Sequence, residues 1–282
     1  MTDTTAGDDF ATRFGGVARL FGAAGLERLR AAHVCVIGVG GVGSWAVEAL
    51  ARSGVGRLTL VDLDDVCISN VNRQLPALAG AIGRPKVEVL AERVGAINPA
   101  AVVEPRLQFF TAGTAEQLLA VRYDAVVDAI DDVPNKCRLI AGCRARGLPL
   151  ICCGGAGGRR DPTRVRVADL AATSHDRLLS EVRRRLRKEH GFPPEGEPFG
   201  VACVFSTEPP VFPQPDGGVC AARAPDQTGA DLRLDCDAGF GTATFVTGAF
   251  GFAAAAWVVS RLADGNICLS SVSGGESKAG GV

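Results

Sequence analysis

The chain has 282 residues, of which 47% are hydrophobic and 22% are charged, and its formal net charge is -1. This composition is typical of a soluble globular protein with a sizeable core, and the length suits one large or two small domains. The small net charge argues against a protein that coats nucleic acid through its global charge, but it leaves a local basic face open. Ten cysteines occur without any Cys-x-x-Cys pair, which argues against a zinc site of the usual spacing. The polar, acidic N-terminus does not resemble a targeting signal, so we expect reduced thiols and a cytoplasmic location.

Apolar strands alternate with amphipathic helical stretches over residues 33–153, after a predicted helical arm at 1–32. Strands are expected near 34–38, 57–62, 102–107, 124–129 and 148–152. This alternation predicts an α/β fold with a Rossmann-like, doubly wound and mostly parallel sheet. We interpret residues 33–153 as the core of the domain.

A glycine turn follows the first predicted strand and begins a helix. Its glycines are Gly38, Gly40, Gly41 and Gly43. Such a turn lets the backbone N–H groups at the start of the helix face phosphate oxygens. Asp62 ends the second strand about 20 residues after the turn, where a carboxylate usually hydrogen-bonds a ribose hydroxyl. It could instead simply cap the turn after its strand.

The turn alone suits NAD about as readily as ATP, so the choice between them depends on charge. ATP carries more phosphate charge than a dinucleotide, and its site needs extra cations and usually a metal held by a carboxylate. Arg73 and Lys86 can supply the cations, although charged residues often lie free on a surface. Asp131, after the strand sequence YDAVVDAI, is the expected Mg²⁺ ligand. Its alternative role is to cap the helix expected to start near Pro134.

Residues 154–265 are predicted to add a C-terminal antiparallel and helical portion to the same domain, followed by a disordered tail at 266–282. A helix from about Asp176 to Glu189 carries an apolar stripe opposite a basic face, which comprises Arg183, Arg184, Arg187 and Lys188. This face is either an ordinary solvated surface or a contact for a nucleic-acid backbone. Nearby, Arg159, Arg160, Arg164 and Arg166 would widen it.

The segment from Thr242 to Ser260 holds no charged residue and approaches the length of a membrane span. Its glycine, threonine and alanine content gives weak hydrophobicity per residue. We therefore interpret it as a buried helix of the core or of a dimer interface, with membrane insertion as the less favoured alternative.

Five motifs in order, IGVGGVGS, VDLDDV, ISNVNRQ, GRPKVE and VVDAIDD, resemble those of the adenylating family that includes MoeB, ThiF and the ubiquitin-activating enzymes. Within it, RFGGVARLFG, GGAGGRRDPTRV, CVFSTE and DCDAGFGTATFVTGAFG look like the tRNA threonylcarbamoyladenosine dehydratase subfamily. The resemblance covers the chain from Arg13 to about Leu262. It implies that ATP adenylates the carboxylate of N6-threonylcarbamoyladenosine in tRNA, after which an intramolecular attack closes the ring of the cyclic product.

The resemblance also implies roles for individual residues. The four glycines shape the phosphate turn, Asp62 binds the ribose, Asn70, Arg73 and Lys86 contact the triphosphate, and Asp131 coordinates Mg²⁺. The position after Asp131 is often asparagine in MoeB-like members but is Asp132 here. Many relatives use an arginine of the opposite subunit against the γ-phosphate, for which Arg13 or Arg19 is available. Cys236 matches a subfamily cysteine, with a packed thiol as the equal alternative.

The expected assembly is a homodimer that binds ATP and Mg²⁺ and acts on tRNA. A monovalent cation (Na⁺ or K⁺) and a cysteine desulfurase sulfur-relay partner are further expectations from the resemblance. An alternative function is adenylation of the C-terminal glycine of a ubiquitin-fold sulfur carrier, as in MoeB and ThiF. A nucleotide-binding scaffold or an NAD-binding module is the non-catalytic alternative.

Overall fold

The computed structural model describes residues 9–214, 216–221 and 240–265 of the chain. Cys236, the first eight residues and the tail after 265 lie outside the described residues. The domain boundaries inferred from the sequence therefore stay predictions.

A seven-stranded sheet forms the centre of the fold. Its strands are β1 (His33–Ile37), β2 (Arg57–Val61), β3 (Val102–Arg106), β4 (Ala125–Asp128), β5 (Leu150–Cys153), β6 (Val165–Asp169) and β7 (Ala202–Ser206). They lie in the order β3-β2-β1-β4-β5-β7-β6, and all neighbours are parallel except β6 and β7. The predicted Rossmann-like, mostly parallel sheet is confirmed, with one antiparallel edge strand.

Helices cover both faces of this sheet. They are α1 (Asp9–Ala31), α2 (Gly43–Arg52), α3 (Lys86–Ile97), α4 (Ala115–Leu119), α5 (Val133–Ala145), α6 (Arg177–His190) and α7 (Thr244–Asp264). A short hairpin, β8 (Phe212–Pro213) with β9 (Val219–Cys220), follows the sheet. Helix α1 is interrupted at Gly22, whose φ of 77° lies in the left-handed region that glycine tolerates.

Every residue of β1 is buried, because the sheet is covered on both faces. Val34 and Val36 belong to one apolar cluster, whereas Cys35 and Ile37 belong to the other. This alternation follows from the two-residue period of a strand. Strand β1 is therefore held centrally, and the turn after it projects from the carboxyl edge of the sheet.

Helix α7 packs on α1, α2 and the sheet. A Cβ atom at Gly251 would lie 2.6 Å from the carbonyl oxygen of Val42, so glycine allows a close approach of the two helices. By length and hydropathy α7 could cross a membrane, but 50% of its apolar window is buried inside the protein. Phe250 and Val258 are fully buried in the same core as β1. These contacts are typical of a core helix.

Candidate functional site

The glycine turn connects β1 to α2 at the carboxyl edge of the sheet. Gly38 has a φ of 82°, and a Cβ atom at Gly43 would lie 1.8 Å from the Gly38 carbonyl oxygen. Side chains at these two positions would therefore force the turn open. Helix α2 has no side-chain cap and no acidic residue in its first turn. Its positive dipole end can attract an anion, although the Ser44 and Ala46 N–H groups already donate to the Gly40 and Val42 carbonyl oxygens.

Asp62 ties the ends of β1 and β2 together. Its Oδ2 accepts a hydrogen bond from the Val39 N–H at 2.8 Å, and its Oδ1 accepts one from the Asp64 N–H at 3.0 Å. Burial raises the pKa of the carboxyl group, while the charge of Lys86 opposes that shift. Asp62 does cap this turn, but each carboxylate oxygen keeps a second acceptor position that a ribose hydroxyl can use.

Lys86 begins α3, and its side chain is buried. Its Nζ donates to Oδ2 of the half-exposed Asp64 at 2.8 Å. The interpretation of Lys86 as an ordinary surface cation is therefore wrong. A triphosphate that enters this edge would compete with Asp64 for the ammonium group.

The loop after β2 carries the ISNVNRQ motif beside the glycine turn. Buried Asn70 accepts a hydrogen bond from the Cys67 N–H at 3.1 Å, so its side-chain oxygen shapes the loop. Arg73 is partly exposed, and its Cγ lies 3.8 Å from the position of a Cβ at Gly41. One of its guanidinium nitrogens donates to the Ser69 carbonyl at 2.7 Å. Arg73 thus lies next to the phosphate turn, where an incoming phosphate can take over this donor.

Gln74, which ends the ISNVNRQ motif, is a further residue of the site. Its Nε2 lies 3.6 Å from the position of a Cβ at Gly40. Its Oε1 is buried without a hydrogen-bond partner among the described residues. A buried polar atom in that state needs a partner, and the nucleotide or a water bound with it can provide one.

Asp131 is exposed just beyond β4, whereas Asp132 caps α5. Oδ1 of Asp132 accepts a hydrogen bond from the Asn135 N–H at 3.0 Å. The alternative role of Asp131 as the helix cap is therefore wrong. Within the described ranges no three His, Cys, Asp or Glu side chains form a metal cluster. One carboxylate still fits Mg²⁺, which is commonly held by one or two carboxylates together with substrate phosphates.

A buried ion pair lies beneath this edge and was missed by the sequence analysis. Lys136 on α5 and Asp128 at the end of β4 are both fully buried, and Nζ and Oδ1 are 3.0 Å apart. The signal in the sequence is a lysine at a position of α5 where the neighbours Cys137, Leu139 and Ile140 are buried and apolar. From the sequence alone, this lysine would be expected to lie in solvent.

The buried cysteines do not provide an activated nucleophile. Six of the eight described cysteines are buried: Cys35, Cys137, Cys143, Cys152, Cys153 and Cys203. Burial raises the pKa of Cys35 and Cys137 to about 12, which disfavours the reactive thiolate. Cys236 lies outside the described residues, so its role stays a prediction.

Helix α6 presents the predicted basic residues to a cleft of 720 Å³. The cleft is lined by Ala171, Thr173, Ser180, Arg183, Arg184, Arg187, Lys188, Glu195 and Gly196. Arg184 pairs with Glu181, whereas Arg187 donates to the Pro193 carbonyl at 3.2 Å and stacks on Phe199.

Arg159 does not extend this basic surface as predicted. Its side chain is buried and forms an ion pair with Asp176 at 3.6 Å. Asp176 also caps α6 by accepting from the Leu179 N–H at 3.0 Å. The prediction that Arg159 widens the surface is wrong, because the crossing after β5 places this arginine under the start of α6.

Arg13 does not reach the site within one chain. It hydrogen-bonds Asp9 at 2.7 Å and the Ile97 carbonyl at 3.5 Å, at the C-terminal end of α3. Lys86 begins the same 12-residue helix, so roughly 16 Å of helix separates the two ends. Arg19 is exposed on α1.

A doubly wound sheet with an anion-ready helix terminus, a ribose-type carboxylate and two nearby cations defines a nucleotide-binding α/β protein. The chain belongs to the ThiF family, whose sequence profile matches residues 16–266.

Several proteins similar to this chain are named tRNA threonylcarbamoyladenosine dehydratase. The chain is 48% identical over 256 residues to the tRNA threonylcarbamoyladenosine dehydratase of Escherichia coli, covering 90% of this chain and 95% of that protein. The structure entitled TcdA (CsdL) matches with a TM-score of 0.83 at 45% identity, covering 92% of this chain and 97% of that one. The Escherichia coli dehydratase in complex with ATP matches with a TM-score of 0.80 at 43% identity and the same coverage. The molybdopterin-synthase adenylyltransferase of Escherichia coli is 37% identical over 127 residues, 45% of this chain and 51% of that protein.

Proposed function

We propose that this protein is an ATP-dependent enzyme that dehydrates N6-threonylcarbamoyladenosine in tRNA to its cyclic form through carboxylate adenylation. The similarity to named dehydratases along nearly the whole chain carries this conclusion. A second observation supports the proposal. The glycine turn, Asp62, Arg73, Lys86 and Asp131 lie at the same edge of the sheet.

The chemistry requires a better leaving group on the substrate. A substrate carboxylate oxygen bonds to the α-phosphorus of ATP, and the bond to pyrophosphate breaks. A nucleophilic atom of the same side chain then attacks the acyl carbon, and AMP leaves with the oxygen that is formally lost as water. Because the attacking group is already tethered, the second step needs no covalent enzyme intermediate.

Each site residue has a physical role in the first step. The N–H groups at the start of α2 hold phosphate oxygens, and Asp62 orients the ribose. Arg73 and Lys86 neutralise charge that develops on pyrophosphate as it leaves. Asp131 would hold Mg²⁺, which when bound shields the phosphate charges from the incoming carboxylate. A monovalent cation stays a prediction, to which no described residue is assigned.

For the tRNA, the basic face of α6 is the surface that we favour. Its cleft combines exposed Arg184 and Lys188 with the partly exposed Arg183 and Arg187. Contacts of this kind go mainly to backbone phosphates and fix orientation without reading sequence.

A homodimer would bring Arg13 or Arg19 of one chain to the triphosphate of the other. Arg13 lies at the far end of α3 from Lys86 within its own chain, so a role at the triphosphate requires a second chain. A cytoplasmic location accords with the six buried free thiols of the core. The cysteine desulfurase partnership stays a prediction.

Adenylation of a sulfur carrier is the second candidate function. It is favoured only by the shorter match to a molybdopterin-synthase adenylyltransferase. Both reactions use the same ATP site, so the substrate distinguishes them.

The test is an assay of the purified protein with ATP, Mg²⁺ and tRNA that carries threonylcarbamoyladenosine, with mass spectrometry of the nucleoside. We expect loss of one water, abolished in Arg73→Ala. In Asp131→Ala the activity should fall by about 100-fold or more, as for loss of a main electrostatic contact in the transition state. Asp132→Ala is the matched control, because it removes only a helix cap worth about 1 kcal/mol. Release of pyrophosphate only in the presence of a sulfur-carrier protein would instead establish the second function.

A further inference from the structure

The Asp128–Lys136 ion pair is fully buried beneath the nucleotide site. Removing two charges from water is costly, and buried pairs are commonly no more stabilising than apolar residues of the same volume. Global stability therefore does not by itself account for a lysine in this core. The atoms that the pair contacts point to a more local role.

Both backbone groups of Ile130 are bound by the pair. Nζ of Lys136 donates to the Ile130 carbonyl oxygen at 2.9 Å, and Oδ1 of Asp128 accepts from the Ile130 N–H at 3.0 Å. Nζ also lies 3.5 Å from the carbonyl oxygen of Asp128. The segment that leads from β4 to Asp131 is thus fixed from below, by side chains that cannot reach solvent.

The phosphate turn rests on the same segment. The Ala129 N–H donates to the Ile37 carbonyl at 2.9 Å, and a Cβ at Gly38 would lie 2.8 Å from the Ala129 carbonyl oxygen. A Cβ at Gly43 would lie 3.4 Å from Cβ of Ala129. Residues 129–130 therefore touch the turn on one side and the ion pair on the other, and Asp131 follows directly.

We propose that Lys136 and Asp128 are positioning residues that hold the Asp131 carboxylate at a fixed distance from the phosphate turn, so that one Mg²⁺ can bind both Asp131 and ATP phosphates. This inference rests on the proposed ATP and Mg²⁺ function. Mg²⁺ requires a near-ideal octahedral arrangement, so a small displacement of its protein ligand weakens binding. Groups that orient a metal ligand without touching the metal commonly change its affinity by about 10- to 100-fold.

The experiment uses the double variant Asp128→Asn/Lys136→Met, which leaves no buried charge unpaired. The asparagine oxygen can still accept from the Ile130 N–H, whereas methionine cannot donate to the Ile130 carbonyl. The matched control is Leu139→Ala, a buried position on the same helix that does not touch residues 129–131 through a hydrogen bond. Both variants are compared with the parent protein at a temperature well below their unfolding midpoints.

The readout is ATP binding by calorimetry across Mg²⁺ concentrations and in EDTA. We expect the double variant to need about 10-fold more Mg²⁺ for half-maximal ATP affinity, with its affinity in EDTA unchanged. Leu139→Ala should keep the parent's Mg²⁺ dependence although its unfolding midpoint falls. Should the double variant not fold, Asp128→Asn/Lys136→Gln is measured, which also leaves no buried charge; its glutamine amide can still donate a hydrogen bond, so a smaller shift in the same direction is expected.

An unchanged Mg²⁺ dependence in a folded variant would overturn the proposal, as would an equal shift in Leu139→Ala. A different result identifies failure of the underlying function. If the parent protein binds ATP with no Mg²⁺ dependence, or if Asp131→Ala behaves like the parent, the magnesium role of Asp131 is refuted and this proposal falls with it.

Discussion

The hydroxyl oxygen of Thr247 lies 3.2 Å from the backbone carbonyl oxygen of Arg73, although the two residues are 174 positions apart. Trp45 Nε1 donates to the same carbonyl at 3.1 Å. The side-chain amide of Asn72, which precedes Arg73, donates to the Thr242 carbonyl at 2.9 Å. The backbone carbonyl of Asn72 accepts a hydrogen bond from the Thr244 hydroxyl at 2.6 Å. The start of α7 and the first turn of α2 thus hold the loop that presents Arg73 to the phosphate turn.

Removing this hydroxyl should weaken ATP binding. Thr247→Val keeps the shape but loses the donor, so we expect about 1 kcal/mol less stability and about 5-fold weaker ATP binding, measured by chemical denaturation and calorimetry. Thr247→Ser, which retains the hydroxyl, is the control and should bind ATP like the parent. Equal affinities for the valine and serine variants would contradict the prediction, and the Thr244 carbonyl, also 3.2 Å from the hydroxyl, is then a candidate acceptor.

A methyl group in the phosphate turn should abolish nucleotide binding. In Gly43→Ala the new Cβ would lie 1.8 Å from the Gly38 carbonyl oxygen, so the turn must open. We expect a stability loss of about 1–3 kcal/mol, as for other overpacked sites, and no thermal stabilisation by ATP. Gly80→Ala, where nothing lies within 4 Å of the new Cβ, is the matched control and should keep the ATP response. ATP stabilisation of Gly43→Ala would refute the assignment of this turn.

If the basic face of α6 binds tRNA, the affinity for tRNA should depend on salt concentration through its arginine and lysine side chains. If Arg184 and Lys188 each contact a tRNA phosphate, replacing both with glutamine should reduce the slope of log K against log salt concentration by about 1.5. Filter binding or fluorescence anisotropy between low and high salt measures this slope. Arg185→Gln is the control, because Arg185 pairs with Glu189 at 2.9 Å and does not line the cleft. The same slope for the double variant and the parent would exclude α6 from the tRNA interface.

His33 should make stability fall in mild acid. Burial lowers the pKa of its imidazole, the Arg57 charge lowers it further, and Nε2 lies 2.8 Å from the Thr59 hydroxyl. The unfolded chain therefore binds a proton at a pH where the folded chain does not, so stability is complete above about pH 6.5 and decreases as the pH falls below that value.

Urea unfolding of the parent and of His33→Gln at pH 7.5, 6.5 and 5.5 measures this dependence. The variant should lose less stability between pH 6.5 and 5.5 than the parent, since other groups titrate alike in both proteins. Parallel loss in the two proteins would contradict the prediction. The site residues at the other edge of the sheet are unchanged by this substitution, so ATP binding at neutral pH serves as the check on folding.

The first five strands were predictable because their apolar runs are short, regularly spaced and bounded by turn residues. The positions of the glycine turn and Asp62 follow from this order, since carboxyl ends of parallel strands meet at one edge. The buried state of Lys86, the cap role of Asp132 and the pairing of Arg159 could not be predicted, because each depends on contacts with distant segments.

By itself, the sequence determined the α/β alternation, the phosphate turn and the residue types that an ATP site requires, because these are encoded over short stretches in strand periodicity and glycine spacing. Only the tertiary structure decided which charges are removed from water. Lys136 and Arg159 look like surface cations in the sequence, but both are buried. Each pairs with a carboxylate from another element of the fold, Lys136 with Asp128 and Arg159 with Asp176. The energy of a charge depends on its solvent exposure and its partners, and both are set when the chain is packed.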